Sequence, residues 1–265
     1  MYINIISIFL ALYCCSIYGK EIQLTSNQYI VTSTLTNDDT LYFAKMMDSY
    51  NDYLKETFQI KKNVPKLKLH IFSDKIAFNE YGVKSISNFS ESFYGFCKYG
   101  DDPELVVYYD GKYKGIFFHE GLHQFIELVA GDLLTCPQWF NEGLASYLEE
   151  CDYKSGKIIL PKRANAGYYK KCLSLIESDS LITMDRFMLI PLNQWNKSQN
   201  DYAIGACLID FLLNHDLKTA RDSFSQFIFT IKETRNYDKA LRRSYGNLDY
   251  KILDKEFIKW IRKHG

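Results

Sequence analysis

The hydrophobic periodicity of this 265-residue chain changes once, near Tyr113, and that change sets what the chain can fold into. Before it, β-branched and alternating segments predict strands at Tyr29–Thr34, Lys66–Phe72, Ser92–Cys97 and Glu104–Tyr109. A long helix is predicted there, over about 40–58, from the stripe Leu41, Phe43, Ala44, Met47, Tyr50, Leu54 and Phe58. Ser73-Asp74 caps a shorter helix running to Tyr81, and Gly100-Asp101-Asp102-Pro103 marks a turn. After Tyr113 the spacing becomes helical, with segments at about 113–129, 138–150, 164–177, 181–190, 200–214, 217–231, 235–243 and 252–262. The expected class is α+β, with a mixed lobe over 20–129 and an all-helical lobe over 130–265. Apolar residues at 47% suffice for a sizeable core, which excludes disorder.

Met1 to Gly19 carries no charge, and its apolar run from Ile3 to Cys15 is short for a membrane span. It reads as a secretory signal peptide, with an uncleaved N-terminal anchor as the alternative. The expected location is outside the cytoplasm, secreted or in the cell envelope, with no integral membrane domain once the signal is removed. Cys97, Cys136, Cys151, Cys172 and Cys207 then remain, an odd number with no CxxC pair, which leaves room for one or two disulfides. With 32 basic and 32 acidic residues, binding driven by phosphate neutralisation is excluded, so no nucleic-acid partner is expected.

The helix expected over 113–129 holds His119-Glu120-Gly121-Leu122-His123, two of only five His in the chain. On a helix, positions i and i+4 share a face, so both imidazoles can reach one ion. Glu120 lies beside them, placed to take a proton from a water on that ion, and zinc lowers the pKa of such a water. A third protein ligand is needed. Val129, six residues past His123, rules out a third His at that spacing, but a carboxylate on the next helix fits. Eighteen residues separate His123 from Glu142, enough for one helix to end and the chain to return.

HExxH, eighteen residues, then Trp139-Phe140-Asn141-Glu142-Gly143-Leu144-Ala145-Ser146-Tyr147 resembles the gluzincin metallopeptidases, and in its second motif the zinc aminopeptidases. The resemblance implies a zincin-like fold and one zinc ion held by His119, His123 and Glu142, with Glu120 as general base. Asp201-Tyr202-Ala203-Ile204-Gly205-Ala206 is similar to the segment whose tyrosine helps stabilise the tetrahedral intermediate; among 21 Tyr, the other reading of Tyr202 is a core residue. The aminopeptidases' G-x-M-E-N strand is absent, and Phe93-Tyr94-Gly95-Phe96 stands in its region, so an endopeptidase is favoured over an aminopeptidase. In length and motifs the chain looks most like the small secreted bacterial gluzincin-like family.

Around these residues, Trp139 and Phe140 read as packing that holds the Glu142 helix to the zinc helix. Asn141 reads as a ligand-side hydrogen bond or a turn cap, Gly143 as permitting close approach of the zinc helix and the Glu142 helix, and Gly121 as tight packing around the metal. Glu149 and Glu150 either orient a zinc-binding imidazole or form an exposed acidic helix end. Arg163 is the basic candidate for a substrate carboxylate, and His215 the alternative to Tyr202. Glu104–Tyr109 is the expected edge strand for an extended peptide. The expected function is zinc-dependent hydrolysis of a peptide or protein substrate. The alternatives are a catalytically silent zinc-binding protein on the same scaffold and a zinc amidase acting on a cell-wall peptide.

Overall fold

Alternation along the strands builds a sheet with two buried faces. In the computed structural model, which describes residues 21–60, 65–100, 102–130, 136–190, 194–195, 198–234 and 236–265, five strands pair in the order β1-β2-β3-β5-β4. They are β1 (Ile22–Thr25), β2 (Tyr29–Ser33), β3 (Leu67–Phe72), β4 (Gly95–Lys98) and β5 (Glu104–Tyr108). The inner three run parallel, and β1 and β4 are antiparallel at the two edges. Leu67, Leu69, Ile71, Leu105 and Val107 join the main core, while Phe72, Phe96 and Val106 form a smaller one with Ala77 and Phe78. The expectation that β5 is the edge is corrected: β5 lies between β3 and β4, and β4 is the outer strand. Pairing β3 with β5 crosses an intervening helix and strand, so sequence order does not reveal it.

α1 (Asn37–Thr57) and α2 (Lys75–Ser85) supply the crossovers that parallel strands require. Thr36 caps α1 by accepting from the Asp39 N–H, and Asp74 caps α2 through Ala77. Phe43, Met47, Tyr50 and Leu54 of α1 are buried at helical spacing, and the Tyr50 hydroxyl donates to the Phe118 carbonyl at 2.9 Å. That carbonyl belongs to α3 (Gly115–Ala130), the helix carrying His119 and His123. Gln124 pins α3 to the sheet, its Nε2 donating to the carbonyls of Lys68 and Pro103 at 2.8 and 3.0 Å.

Helices then dominate: α4 (Gln138–Leu148), α5 (Ala166–Glu177), α6 (Met184–Met188), α7 (Gln199–Asn214), α8 (Lys218–Thr234), α9 (Tyr237–Tyr245) and α10 (Tyr250–His264). This part is not wholly helical as expected, because β6 (Asp152–Lys154) and β7 (Lys157–Ile159) form a hairpin. Its turn places Ser155 and Gly156 at φ 51° and 78°, the two positive values that a two-residue hairpin loop needs. The strands are too short to register as a period-two signal. One hydrophobic core runs without a break from the sheet through α3 and α4 to α10. The segment expected as a signal peptide lies outside the described residues. Among the described residues no helix is long and apolar enough to cross a membrane.

Candidate metal centre

The site is made where two helices meet in opposite directions. His119 and His123 sit one turn apart on α3, and α4 returns with Asn141 and Glu142 facing them. The Oε2 of Glu142 lies 3.5 Å from His119 Nε2 and 3.4 Å from His123 Nε2. One ligand atom from each of the three residues falls within 4.8 Å of the others, a grouping that can hold a metal ion. Two imidazole nitrogens and one carboxylate oxygen, converging and largely buried, form a donor set that suits a borderline cation and leaves a coordination position open.

The outer ring nitrogens are also committed. His119 Nδ1 donates to Glu149 Oε2 at 3.0 Å, and His123 Nδ1 donates to Asn141 Oδ1 at 2.9 Å. A neutral imidazole that donates from Nδ1 keeps its lone pair on Nε2, so both hydrogen bonds suit Nε2 nitrogens that face Glu142 and could bind an ion. Asn141 thus acts on a ring nitrogen rather than as a turn cap. Glu149 closes the end of α4 with its side chain against His119, not as an exposed acidic end. Seven residues from Glu142 to Glu149 make nearly two turns, so both carboxylates share the face that meets α3.

Electrostatics follow from this crowding. Burial alone would lower the His119 pKa, but hydrogen bonds to Glu142 and Glu149 and the charge of Glu120 outweigh it and raise the value to about 10 while no ion is bound. A metal ion would take the place of a proton on Nε2. Burial would raise the Glu142 carboxyl; the His123 and His119 rings overcome this and hold it well below the usual carboxylate range. The Tyr202 phenol is pushed up by burial and then by the charges of Glu142, Glu120 and Glu149, so its hydroxyl keeps its proton.

Tyr202 enters from the first turn of α7, whose start is fixed by a reciprocal cap between Ser198 and Asp201. Its ring centroid stands 6.4 Å from that of His119. Glu120 flanks the outer strand: a Cβ on Gly95 of β4 would lie 3.2 Å from Glu120 Cγ and 2.7 Å from Ile116 Cγ1. Glycine therefore lets the backbone of β4 pass close to this glutamate.

Other expected residues lie elsewhere. Trp139 is buried in the core, its ring 5.4 Å from Phe227 and 5.8 Å from Tyr245, so it seats α4 on α8 and α9 rather than on α3. Arg163 lies over the Trp260 ring at 4.7 Å and 4.0 Å from the buried carboxylate of Asp210, with no hydrogen bond or ion pair to His119, His123 or Glu142 among the described residues. His215 follows the last residue of α7, thirteen residues and about 20 Å of helix from Tyr202. Its Nδ1 accepts from the Leu217 N–H at 2.9 Å, and its ring lies tilted against Phe211 and edge-on to Trp260. Gly121 packs against α1 instead of around the metal site, since a Cβ there would meet Met47 Cε at 2.7 Å.

Sequence reasoning missed Tyr168, which donates to Glu149 Oε1 at 2.8 Å. A hairpin separates the two residues in sequence, and no periodic signal links them. The five cysteines outside the first nineteen residues are all buried and unpaired as disulfides, although the Cys172 and Cys207 thiols hydrogen-bond to each other. Compared with known families and curated proteins, the chain matches no family model and no curated sequence.

Proposed function

We propose that this chain is a zinc-dependent peptidase of the gluzincin type, with a zincin-like fold and a preference for internal peptide bonds. One observation carries the reading: His119, His123 and Glu142 converge on one point while Glu120 stands on the same helix turn, beside the outer strand. The donor set suits zinc among divalent ions, with the imidazoles as its nitrogen ligands and Glu142 as the oxygen ligand. When bound there, zinc supplies Lewis acidity toward a carbonyl and lowers the pKa of a water.

The chain's own groups do the rest. An extended peptide adds along the open side of β4 by backbone pairing, which brings its carbonyl past Gly95 toward Glu120. Glu120 accepts the proton of the attacking water and returns it to the departing amine nitrogen. The Tyr202 hydroxyl, held protonated, donates to the carbonyl oxygen as negative charge develops on it. The preference for internal bonds rests on the sequence, where the G-x-M-E-N strand that holds a free amine in the aminopeptidases is absent.

The test is incubation of the purified full chain, loaded with zinc, with a mixed peptide pool, with products read by mass spectrometry. Internal cleavage that stops on chelation and returns with zinc supports the proposal. Bound zinc with no cleavage of any peptide would instead favour a binding protein, and cleavage restricted to cell-wall peptides an amidase.

A further inference from the structure

Both oxygens of the Glu149 carboxylate are taken. Oε2 accepts from His119 Nδ1 at 3.0 Å, and Oε1 accepts from the Tyr168 hydroxyl at 2.8 Å. The chain of contacts crosses three helices: His119 on α3, Glu149 at the end of α4, and Tyr168 in the first turn of α5.

Glu149 needs this outside support. It follows the last residue of α4, and the main chain turns there toward the β6–β7 hairpin, so no further turn of helix braces its side chain. Tyr168 is itself held. Asn165 caps α5 by accepting from the Gly167 N–H at 2.7 Å, and its Nδ2 donates to Glu150 Oε1 at 2.8 Å. Neighbouring glutamates at the end of α4 are thus gripped by the start of α5, one through the cap residue and one through the phenol. A carboxylate fixed at both oxygens cannot swing away from the imidazole it orients.

We infer that Tyr168 is a positioning residue for the metal, acting through Glu149. By fixing that carboxylate it fixes the ring plane and tautomer of His119, and so keeps the His119 Nε2 lone pair aimed at the point that His123 and Glu142 face. The inference rests on the metal reading above. It places part of the hold on the ion in α5, a helix that contributes no ligand.

The test uses the full chain carrying Tyr168→Phe, Glu149→Gln, or both. Zinc dissociation is followed with a chromogenic chelator at one pH, and the melting temperature of each zinc-free form is measured alongside. Tyr168→Phe is expected to release zinc up to roughly tenfold faster, the low end of the affinity loss when the direct outer partner of a metal-binding imidazole is removed. The low end applies because Tyr168 acts one bond further out, through Glu149. Its zinc-free melting temperature is expected to stay near that of wild type, which a purely structural role would not allow. The double variant is expected to release zinc no faster than Glu149→Gln alone. An unchanged release rate in Tyr168→Phe, or effects that multiply in the double variant, would overturn the inference and leave the metal reading intact. Failure of the wild-type chain to take up zinc would overturn the metal reading, and this inference with it.

Discussion

The backbones of Gly143 and Gly205 touch: a Cβ at Gly143 would lie 2.7 Å from the Gly205 carbonyl carbon, and one at Gly205 would lie 3.0 Å from the Gly143 Cα. Gly143 follows Glu142 on α4, and Gly205 is three residues past Tyr202 on α7. This contact sets how near the Tyr202 phenol comes to the Glu142 carboxylate. Close packing of α4 on the Tyr202 helix, not on α3, is therefore the reason for glycine at 143.

Gly143→Ala is accordingly expected to destabilise the fold by about 1–3 kcal/mol, since its methyl group meets backbone that cannot rotate away. Urea denaturation reads this as a lower midpoint at unchanged slope. Gly205→Ala, with slightly more room, should cost less. An unchanged midpoint for Gly143→Ala would mean that the two helices are not in contact there.

Asn141→Ala removes the hydrogen bond that turns His123. Metal affinity is expected to fall about 10–100-fold, with little change in the unfolding midpoint of the metal-free chain. Competition with a calibrated chelator measures it, and wild-type affinity in this variant would return Asn141 to a local role in the helix.

Asp210 organises a separate polar cluster. Fully buried on α7, it accepts from the Ala164 N–H at 2.6 Å, the Tyr169 hydroxyl at 2.7 Å and Asn214 Nδ2 at 2.8 Å. Tyr169 in turn accepts from Trp260 Nε1 at 2.8 Å, tying α5 and α10 to α7. Asp210→Ala strands these donors and is expected to cost about 3–5 kcal/mol, the loss typical of breaking a buried charged network. Zinc uptake by the fraction that remains folded should match wild type. Weaker uptake by that folded fraction would mean that the cluster and the metal centre are coupled.

Tyr202→Phe tests the donor role alone. Turnover is expected to drop on the order of 10²–10³-fold while zinc affinity holds, because the hydroxyl acts on developing charge and not on the ion. An unaffected rate would make Tyr202 a packing residue of α7.

How much of this was legible in the sequence follows from how local each feature is. The stripe Phe43, Met47, Tyr50 and Leu54 marks α1 because a helix writes its buried face into consecutive turns. His119 and His123 are legible for the same reason, and Glu142 because a helix hairpin has a short, bounded return. Strand order was not legible: β4 displaces β5 from the edge through a pairing that no residue announces. β1 and the β6–β7 hairpin are strands of four and three residues, below the length at which alternation shows. Arg163 and His215 carry suitable chemistry, but their partners come from α7 and α10, distant in sequence. Tyr168 meets Glu149 only because α5, packed on α7, starts beside the end of α4, which composition and spacing do not encode.

The central claim is that Glu120 works as a base beside a metal that His119, His123 and Glu142 hold. Its most direct test is Glu120→Gln, with zinc content and peptide hydrolysis measured on the same preparation. The account predicts that zinc is retained at the wild-type stoichiometry while hydrolysis falls on the order of 10²–10⁴-fold, the range for loss of a positioned general base. Hydrolysis by Glu120→Gln at the wild-type rate would contradict it.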